Sequence, residues 1–333
     1  IFIRFTASVS NVLNKKYSKD SSYQVQLKAT TGVGCNASIS KMVYIGGYPN
    51  ANFGIDKSKQ CLRDNVFNFT QNSNIKKGSI TAYQWTLGEG ADVFSQNVNN
   101  KRYINDDTFD VSLIVKSDLG CFDTITKSIV VFPQPKALFN VNQLNQCYNE
   151  HLFQLTNNSF IKNENLTYQW SLGDNTNSTN KDLSKRYTQP GLYNIQLIAN
   201  SDNGCKDTTA LIPVQVYHNP LAEFNINKAE QCFKNHSFNF TNQSSIANGT
   251  IQNYRWIMGD VSQFTTQNVL NHIYAKEDTF FVRMIATSNL SCTDTIKKMV
   301  VTYAQPYLQF GIQKDTQCWQ NNVFVIENKT NIK

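Results

Sequence analysis

The residues best suited to covalent chemistry are eight cysteines, and they fall into two series. Cys61, Cys147, Cys232 and Cys318 are spaced 86, 85 and 86 residues apart, and Cys35, Cys121, Cys205 and Cys292 are spaced 86, 84 and 87. No Cys-x-x-Cys pair occurs, which argues against a zinc knot. An even count at fixed positions reads instead as disulfides formed in an oxidising compartment. There are only four histidines. His151 and His236 occupy equivalent places, where the other copies carry Asn65 and Asn322, and His218 and His272 are solitary. No nucleophile, base and orienting group recur together, and no P-loop is present. The histidines therefore read as surface residues, and no catalytic residue is expected. Glu89, Asp174 and Asp260 each follow a glycine at one repeated place. Carboxylates are hard ligands suited to Ca2+, but one acid per copy fits a turn carboxylate that accepts backbone hydrogen bonds. Asp123, Asp207 and Asp294, two residues after the second-series cysteines, read the same way. Apart from Ca2+ at the first of these positions, no cofactor or metal is expected.

The spacing points to the elements that must hold these residues. Trp85, Trp170 and Trp256 keep the cysteine period, as do Tyr17, Tyr103, Tyr187 and Tyr274, and Pro49, Pro135, Pro220 and Pro306. Several registers with one period define a tandem repeat of about 86 residues. On this ruler residues 1–46 are the back half of a repeat, 47–132, 133–217 and 218–303 are whole, and 304–333 are the front of another. Both ends fall inside a repeat, so the expectation is a piece of a longer chain, or strands completed by a neighbouring molecule. The opening Ile1-Phe-Ile-Arg-Phe5 has neither the charged region nor the cleavage site of a signal peptide.

Within each repeat the apolar residues alternate, as a half-buried strand requires. Phe109, Val111, Leu113 and Val115 form one such series. Its counterparts are Tyr193, Ile195, Leu197 and Ala199; Phe280, Val282, Met284 and Ala286; and Tyr23, Val25, Leu27 and Ala29. A turn such as Ser201-Asp-Asn-Gly204 follows, then another strand. Six residues after each first-series cysteine, Phe67, Phe153, Phe238 and Phe324 open a further strand. Tyr83-Gln-Trp85 and its copies place the tryptophan on a third, as a central core residue. About seven short strands per repeat, with no helical period, predict an all-β chain of tandem immunoglobulin-like sandwiches.

Composition excludes other classes. The net charge is +7, but Lys16, Lys57, Lys127 and Lys297 lie far apart, so no basic stripe for nucleic acid forms. No run reaches the roughly 18 apolar residues of a membrane span. Asparagine is present in about forty copies, which suits polar turns. Asn-x-Ser/Thr occurs at Asn36, Asn68, Asn165, Asn239 and Asn328, with Asn68 and Asn239 on outward strand positions where a glycan could fit.

The runs Trp85-Thr-Leu-Gly-Glu-Gly90, Trp170-Ser-Leu-Gly-Asp-Asn175 and Trp256-Ile-Met-Gly-Asp-Val261 resemble the Trp-Asp-Phe-Gly-Asp-Gly motif of bacterial PKD (polycystic-kidney-disease-type) domains. His272-Ile-Tyr274 matches the family's His-x-Tyr, and the other copies carry lysine in place of histidine. The resemblance covers essentially the whole chain. It implies a stalk, spacer or adhesin repeat at a cell surface or in a secreted protein. The cysteine-bearing tandem array resembles giant surface adhesins of bacteria that use type IX secretion.

In a sandwich of this kind the first-series cysteine belongs to the turn at one pole and the second-series cysteine to a hairpin at the other. Strands of eight to ten residues separate the poles by about 25–35 Å, whereas a disulfide needs Cα atoms within about 7 Å. Pairing across joints, Cys61 with Cys205 and Cys147 with Cys292, is expected, with Cys35, Cys121, Cys232 and Cys318 pairing beyond residues 1–333. Unpaired buried thiols are the alternative. The functional expectation is an extracellular structural or adhesive segment that self-associates with further repeats and could bind a cell-surface or glycan ligand. The alternative is a spacer or carbohydrate-binding array of a secreted polysaccharide-degrading enzyme. That reading leans on Trp319, the one tryptophan off the repeat register.

Overall fold

The computed structural model describes residues 14–331. The apolar opening Ile1–Phe5 and the last two residues of the final segment lie outside the described residues. Among the described residues every regular element is a β-strand, and no helix is long and apolar enough to cross a membrane. The chain divides into two compact units. The first comprises Ile1–Leu138, Asn158–Gln169 and Leu197–Thr209, and the second Phe139–Asn157, Trp170–Gln196 and Ala210–Lys333.

The first unit holds a two-sheet sandwich built from strands between Phe53 and Phe132. One sheet runs in the order Lys59–Cys61, Phe122–Phe132, Asp107–Ser117, Ile80–Thr86. Its first pair is parallel, with Cys61 opposite Phe132, and the others are antiparallel. The facing sheet is Phe53–Ile55, Phe67–Gln71, Val98–Lys101. Alternation sends Val111, Leu113 and Val115 fully inward, against Phe53, Phe67, Phe69 and Trp85. Trp85 bridges the two sheets, with its ring 5.1 Å from that of Phe53 in an edge contact, a favoured aromatic geometry.

The second unit holds a two-sheet sandwich built from strands between Phe224 and Tyr303. Glu230–Cys232, Thr293–Tyr303, Thr279–Ser288, Ile251–Ile257 and Gln263–Phe264 form one sheet, and Phe224–Ile226, Phe238–Asn242 and Val269–His272 the other. Trp256 meets Phe224 at 5.1 Å. Phe139–Val141, Phe153–Asn157 and Leu183–Lys185 form the corresponding small sheet of the middle repeat, where Trp170 meets Phe139 at 5.0 Å. Asn145–Cys147 pairs in parallel with Ile212–Tyr217.

Two strand expectations need correction. Tyr23, Val25, Leu27 and Ala29 do lie on a strand, Ser22–Thr30, paired with Asn36–Tyr44. Leu27 is nonetheless 69% exposed, because no second sheet covers this hairpin among the described residues. Phe324 lies outside a strand; the pairing in that segment is Ile326–Asn328 with Phe310–Ile312.

Candidate functional site: the disulfide-bonded joint

Cys61, Cys147 and Cys232 each end a short strand held in parallel register. Cys61 closes Lys59–Cys61, and the next amide, Leu62 N, donates to Phe132 O at 2.9 Å. Tyr148 N to Tyr217 O and Phe233 N to Tyr303 O repeat that bond at 2.9 Å. Each second-series cysteine follows a tight hairpin turn. In the turn before Cys205, Gly204 N donates to Ser201 O at 3.0 Å and Ser201 N to Cys205 O at 2.8 Å. Gly204 takes φ +81, which a side chain would strain.

Cys61 is bonded to Cys205 and Cys147 to Cys292, with Cα atoms 5.6 and 5.5 Å apart. Each bond therefore links the end of one repeat's first strands to a hairpin of the following repeat. Cys205 and Cys292 are buried. Cys35, Cys232 and Cys318 are exposed, Cys121 is half-buried, and none of the four is bonded to another cysteine of the described chain.

Polar contacts surround both bonds. At the first joint Arg63 N donates to Gln134 Oε1 at 3.3 Å, and Gln134 Nε2 donates to Lys206 O at 2.6 Å. At the second, Asn149 N donates to Asn219 Oδ1 at 2.9 Å and Asn219 Nδ2 to Thr293 O at 2.8 Å. One side-chain amide, placed just before the linker proline, thus ties two repeats together. The carboxylates two residues after the second-series cysteines hold the entry of their own repeat. Asp123, Asp207 and Asp294 accept from Ala51 N, Ala137 N and Ala222 N at 2.8, 2.9 and 2.8 Å. Asp207 also pairs with Arg63 across the first joint at 2.8 Å. Burial pushes the Asp207 pKa up, but the Ala137 amide and Arg63 outweigh it and hold the carboxyl below its usual range. Lys162 adds a further ion pair to Asp106 at 2.8 Å.

The Trp-Gly-acid motif serves the interior of each repeat. The indole N–H of Trp85, Trp170 and Trp256 donates to Ser95 O, Asn180 O and Thr266 O, each at 2.9 Å. Tyr103, Tyr187 and Tyr274 donate their hydroxyls to Leu87 O, Leu172 O and Met258 O at 2.8, 2.7 and 2.8 Å. Burial first, and then the nearby charge of Glu89, Asp174 or Asp260, pushes these phenols far above their ordinary pKa. The next residue must be glycine. Gly173 has φ +82, and a Cβ there would lie 2.7 Å from Asn194 N.

The acids that follow face basic side chains of the chain itself. Glu89 lies 3.8 Å from Lys101, Asp174 2.6 Å from Lys185, and Asp260 3.2 Å from His272. Asp174 also accepts from Thr176 N, and Asp260 from Ser262 N. Among the described residues no three His, Cys, Asp or Glu side chains converge on a point that could hold a metal ion.

Three of the four histidines are not surface residues. His151, His236 and His272 are buried, and His218 is half-buried. His151 Nδ1 lies 2.6 Å from Tyr148 O, and its Nε2 accepts from Tyr187 N at 2.7 Å. His236 repeats this with Phe233 O and Tyr274 N, at 2.6 and 2.8 Å. Such a ring is neutral, with its proton on Nδ1. Asn65 does the same work with an amide: Nδ2 donates to Leu62 O at 2.8 Å, and Oδ1 accepts from Tyr103 N at 2.8 Å. Ring and amide interchange because each presents a donor to the carbonyl three residues back and an acceptor to the tyrosine amide; the amide's second N–H also donates to Tyr103 O at 2.9 Å.

Trp319 is 91% exposed, yet it is in register. It follows Cys318 as Leu62, Tyr148 and Phe233 follow their cysteines, and the last two stack on His151 and His236. Asn68 is not an open glycan acceptor either: its Nδ2 donates to Asp56 Oδ2 at 2.8 Å and its Oδ1 accepts from Asn100 N at 2.9 Å. Asn239 Oδ1 likewise accepts from Asn271 N.

A repeated two-sheet module with a buried Trp, a Tyr–carbonyl tie and a covalent joint defines a tandem immunoglobulin-like array. Residues 133–216 and 217–303 match the PKD domain family, and the chain belongs to that family. It is similar in part to the PKD1 domain of Vibrio anguillarum Epp, at 26% identity over 25% of this chain and 95% of that one, with a TM-score of 0.22. Further similarities are to three N-terminal domains of the bacteriophage RB49 highly immunogenic outer capsid protein and to extracellular domains 3–5 of Drosophila OTK. The first is 12% identical over 77% of this chain and 97% of the other, the second 11% over 75% and 97%, each with a TM-score of 0.32. Family and disulfides together suggest an extracellular structural or adhesive module of a typically non-catalytic kind.

Proposed function

We propose that the chain is a segment of a long fibre or adhesin stalk at the cell surface, exported by a type IX route. It comprises repeats 47–132, 133–217 and 218–303, flanked by the partial repeats 1–46 and 304–333. The observation that carries this reading is the joint, made twice by one pairing rule between successive repeats. Cys35, Cys121, Cys232 and Cys318 then pair with further repeats of the same kind, and lateral packing of such chains gives a filament. The segment has no catalytic role. It takes no Ca2+ at Glu89, Asp174 or Asp260, where a lysine or a histidine of the chain already occupies the place beside the carboxylate. The carbohydrate-binding alternative loses its main support now that Trp319 falls in register with Leu62, Tyr148 and Phe233.

Electron microscopy of native material in EDTA tests the reading. Extended fibres with a regular repeat are expected. Compact separate particles, or fibres that dissolve on chelation, would overturn it.

A further inference from the structure

Tandem sandwiches usually carry load in series, so tension on the ends pulls on every strand of every repeat in turn. The disulfide pattern changes that topology. Cys147 lies only eleven residues after Lys136 in the linker, and its partner Cys292 lies fifteen residues before Tyr307 in the linker after the next repeat. A covalent route therefore crosses two repeats from Lys136 to Cys147, through sulfur to Cys292, and along Thr293–Tyr303 to Tyr307. A second route runs from Asn50 to Cys61, through sulfur to Cys205, along Ile212–Tyr217, and on to Cys232. Residues 62–120, 148–204 and 233–291, which contain the three buried tryptophans, lie on neither route.

We infer that the joints form two covalent rails that take tension, and that the core strands hang between them as unloaded rungs. The rails touch in the middle repeat and again in the third. In the middle repeat Asn145–Cys147 belongs to one rail and Ile212–Tyr217 to the other, and they are the parallel pair. In the third repeat the roles exchange, with Glu230–Cys232 on the second rail and Thr293–Tyr303 on the first. The rails have little slack, because an eleven-residue strand such as Thr293–Tyr303 is already extended at about 3.3 Å per residue. A repeat whose core opens therefore adds almost nothing to the length of the array. This deepens the stalk reading but does not share its test.

The measurement is single-molecule stretching of the whole chain, with handles attached through azide-bearing residues at the exposed positions 136 and 307. The rail between them is about 26 residues, a fully stretched length of about 90 Å; the peptide path is about 171 residues, about 580 Å. The oxidised chain should stop near the short length. Dithiothreitol or Cys147→Ser should release it about sixfold further, and Cys61→Ser, which lies on the other rail, should leave the stop in place. An oxidised chain that runs out to the long length, or a stop abolished by Cys61→Ser, would overturn the rails and leave the stalk untouched. Compact particles in the microscope would do the reverse.

Discussion

The two joints are made alike and held differently. Both use a disulfide and a bridging amide before proline, Gln134 in one and Asn219 in the other. The first joint adds Arg63–Asp207 and Lys162–Asp106; in the second, Asn149 stands where Arg63 would. What recurs is covalent and short-range, and what varies is ionic and partly exposed. This ordering follows the magnitudes, since surface ion pairs contribute at most about 1 kcal/mol.

The largest test asks whether the joints merge the repeats. Trp170→Ala removes a fully buried ring from the middle repeat, which both joints share, and should cost about 3–5 kcal/mol. Denaturation followed by calorimetry should show that loss mainly in one repeat's transition. A single shifted transition for the whole chain would mean that the joints couple the repeats into one cooperative body. Next come Cys61→Ser and Cys147→Ser, each expected to destabilise by about 2–4 kcal/mol. Similar thermal shifts would support a shared covalent core of the joint; a much milder Cys61→Ser would mean that the ion pairs at the first joint compensate.

One layer inward, His151→Ala should cost about 1–3 kcal/mol by leaving the Tyr187 amide without an acceptor. His151→Asn should fall within about 1 kcal/mol of the parent, because Asn65 already does this work in the neighbouring repeat. Gln134→Ala and Asn219→Ala should each cost about 1 kcal/mol, visible as faster amide exchange at Arg63 and Asn149. Smallest is Arg63→Ala, about 0.5 kcal/mol for a half-exposed partner. Its effect has a pH signature. The folded pKa of Asp207 is depressed, so its stabilisation is complete above the ordinary carboxylate value of 3.8 and disappears as pH falls below that value through the lowered one. Acid titration should therefore narrow the gap between Arg63→Ala and the parent, and a constant gap would remove the ion pair from the account.

Much of this was legible because it is periodic. Trp85, Trp170 and Trp256 and the alternating Val111, Leu113 and Val115 announce buried faces through spacing alone, and the glycine of each motif announces a tight turn. The polar interior was not legible in the same way. A histidine's burial is decided by a backbone amide 36 residues away, as for His151 and Tyr187, and nothing local distinguishes it from an exposed one. The bridging amides Gln134 and Asn219 reach carbonyls 72 and 74 residues distant. Their only trace is an amide residue before Pro135, Pro220 and Pro306, with Tyr48 breaking the rule before Pro49, a signal that carries meaning once the partner is known. The alternation in Tyr23–Ala29 marked a strand correctly, yet it could not show whether a second sheet would cover it.

The exchange of ring for amide at residues 65, 151 and 236 also bears on how such a chain comes off the ribosome. Adjacent copies that are too alike trade strands while folding, a characteristic failure of repeat proteins. A buried position that works equally well as imidazole or carboxamide lets neighbours diverge without losing the acceptor that the tyrosine segment needs. Tolerance at this one polar contact thus leaves room for the sequence drift that keeps each copy folding on itself.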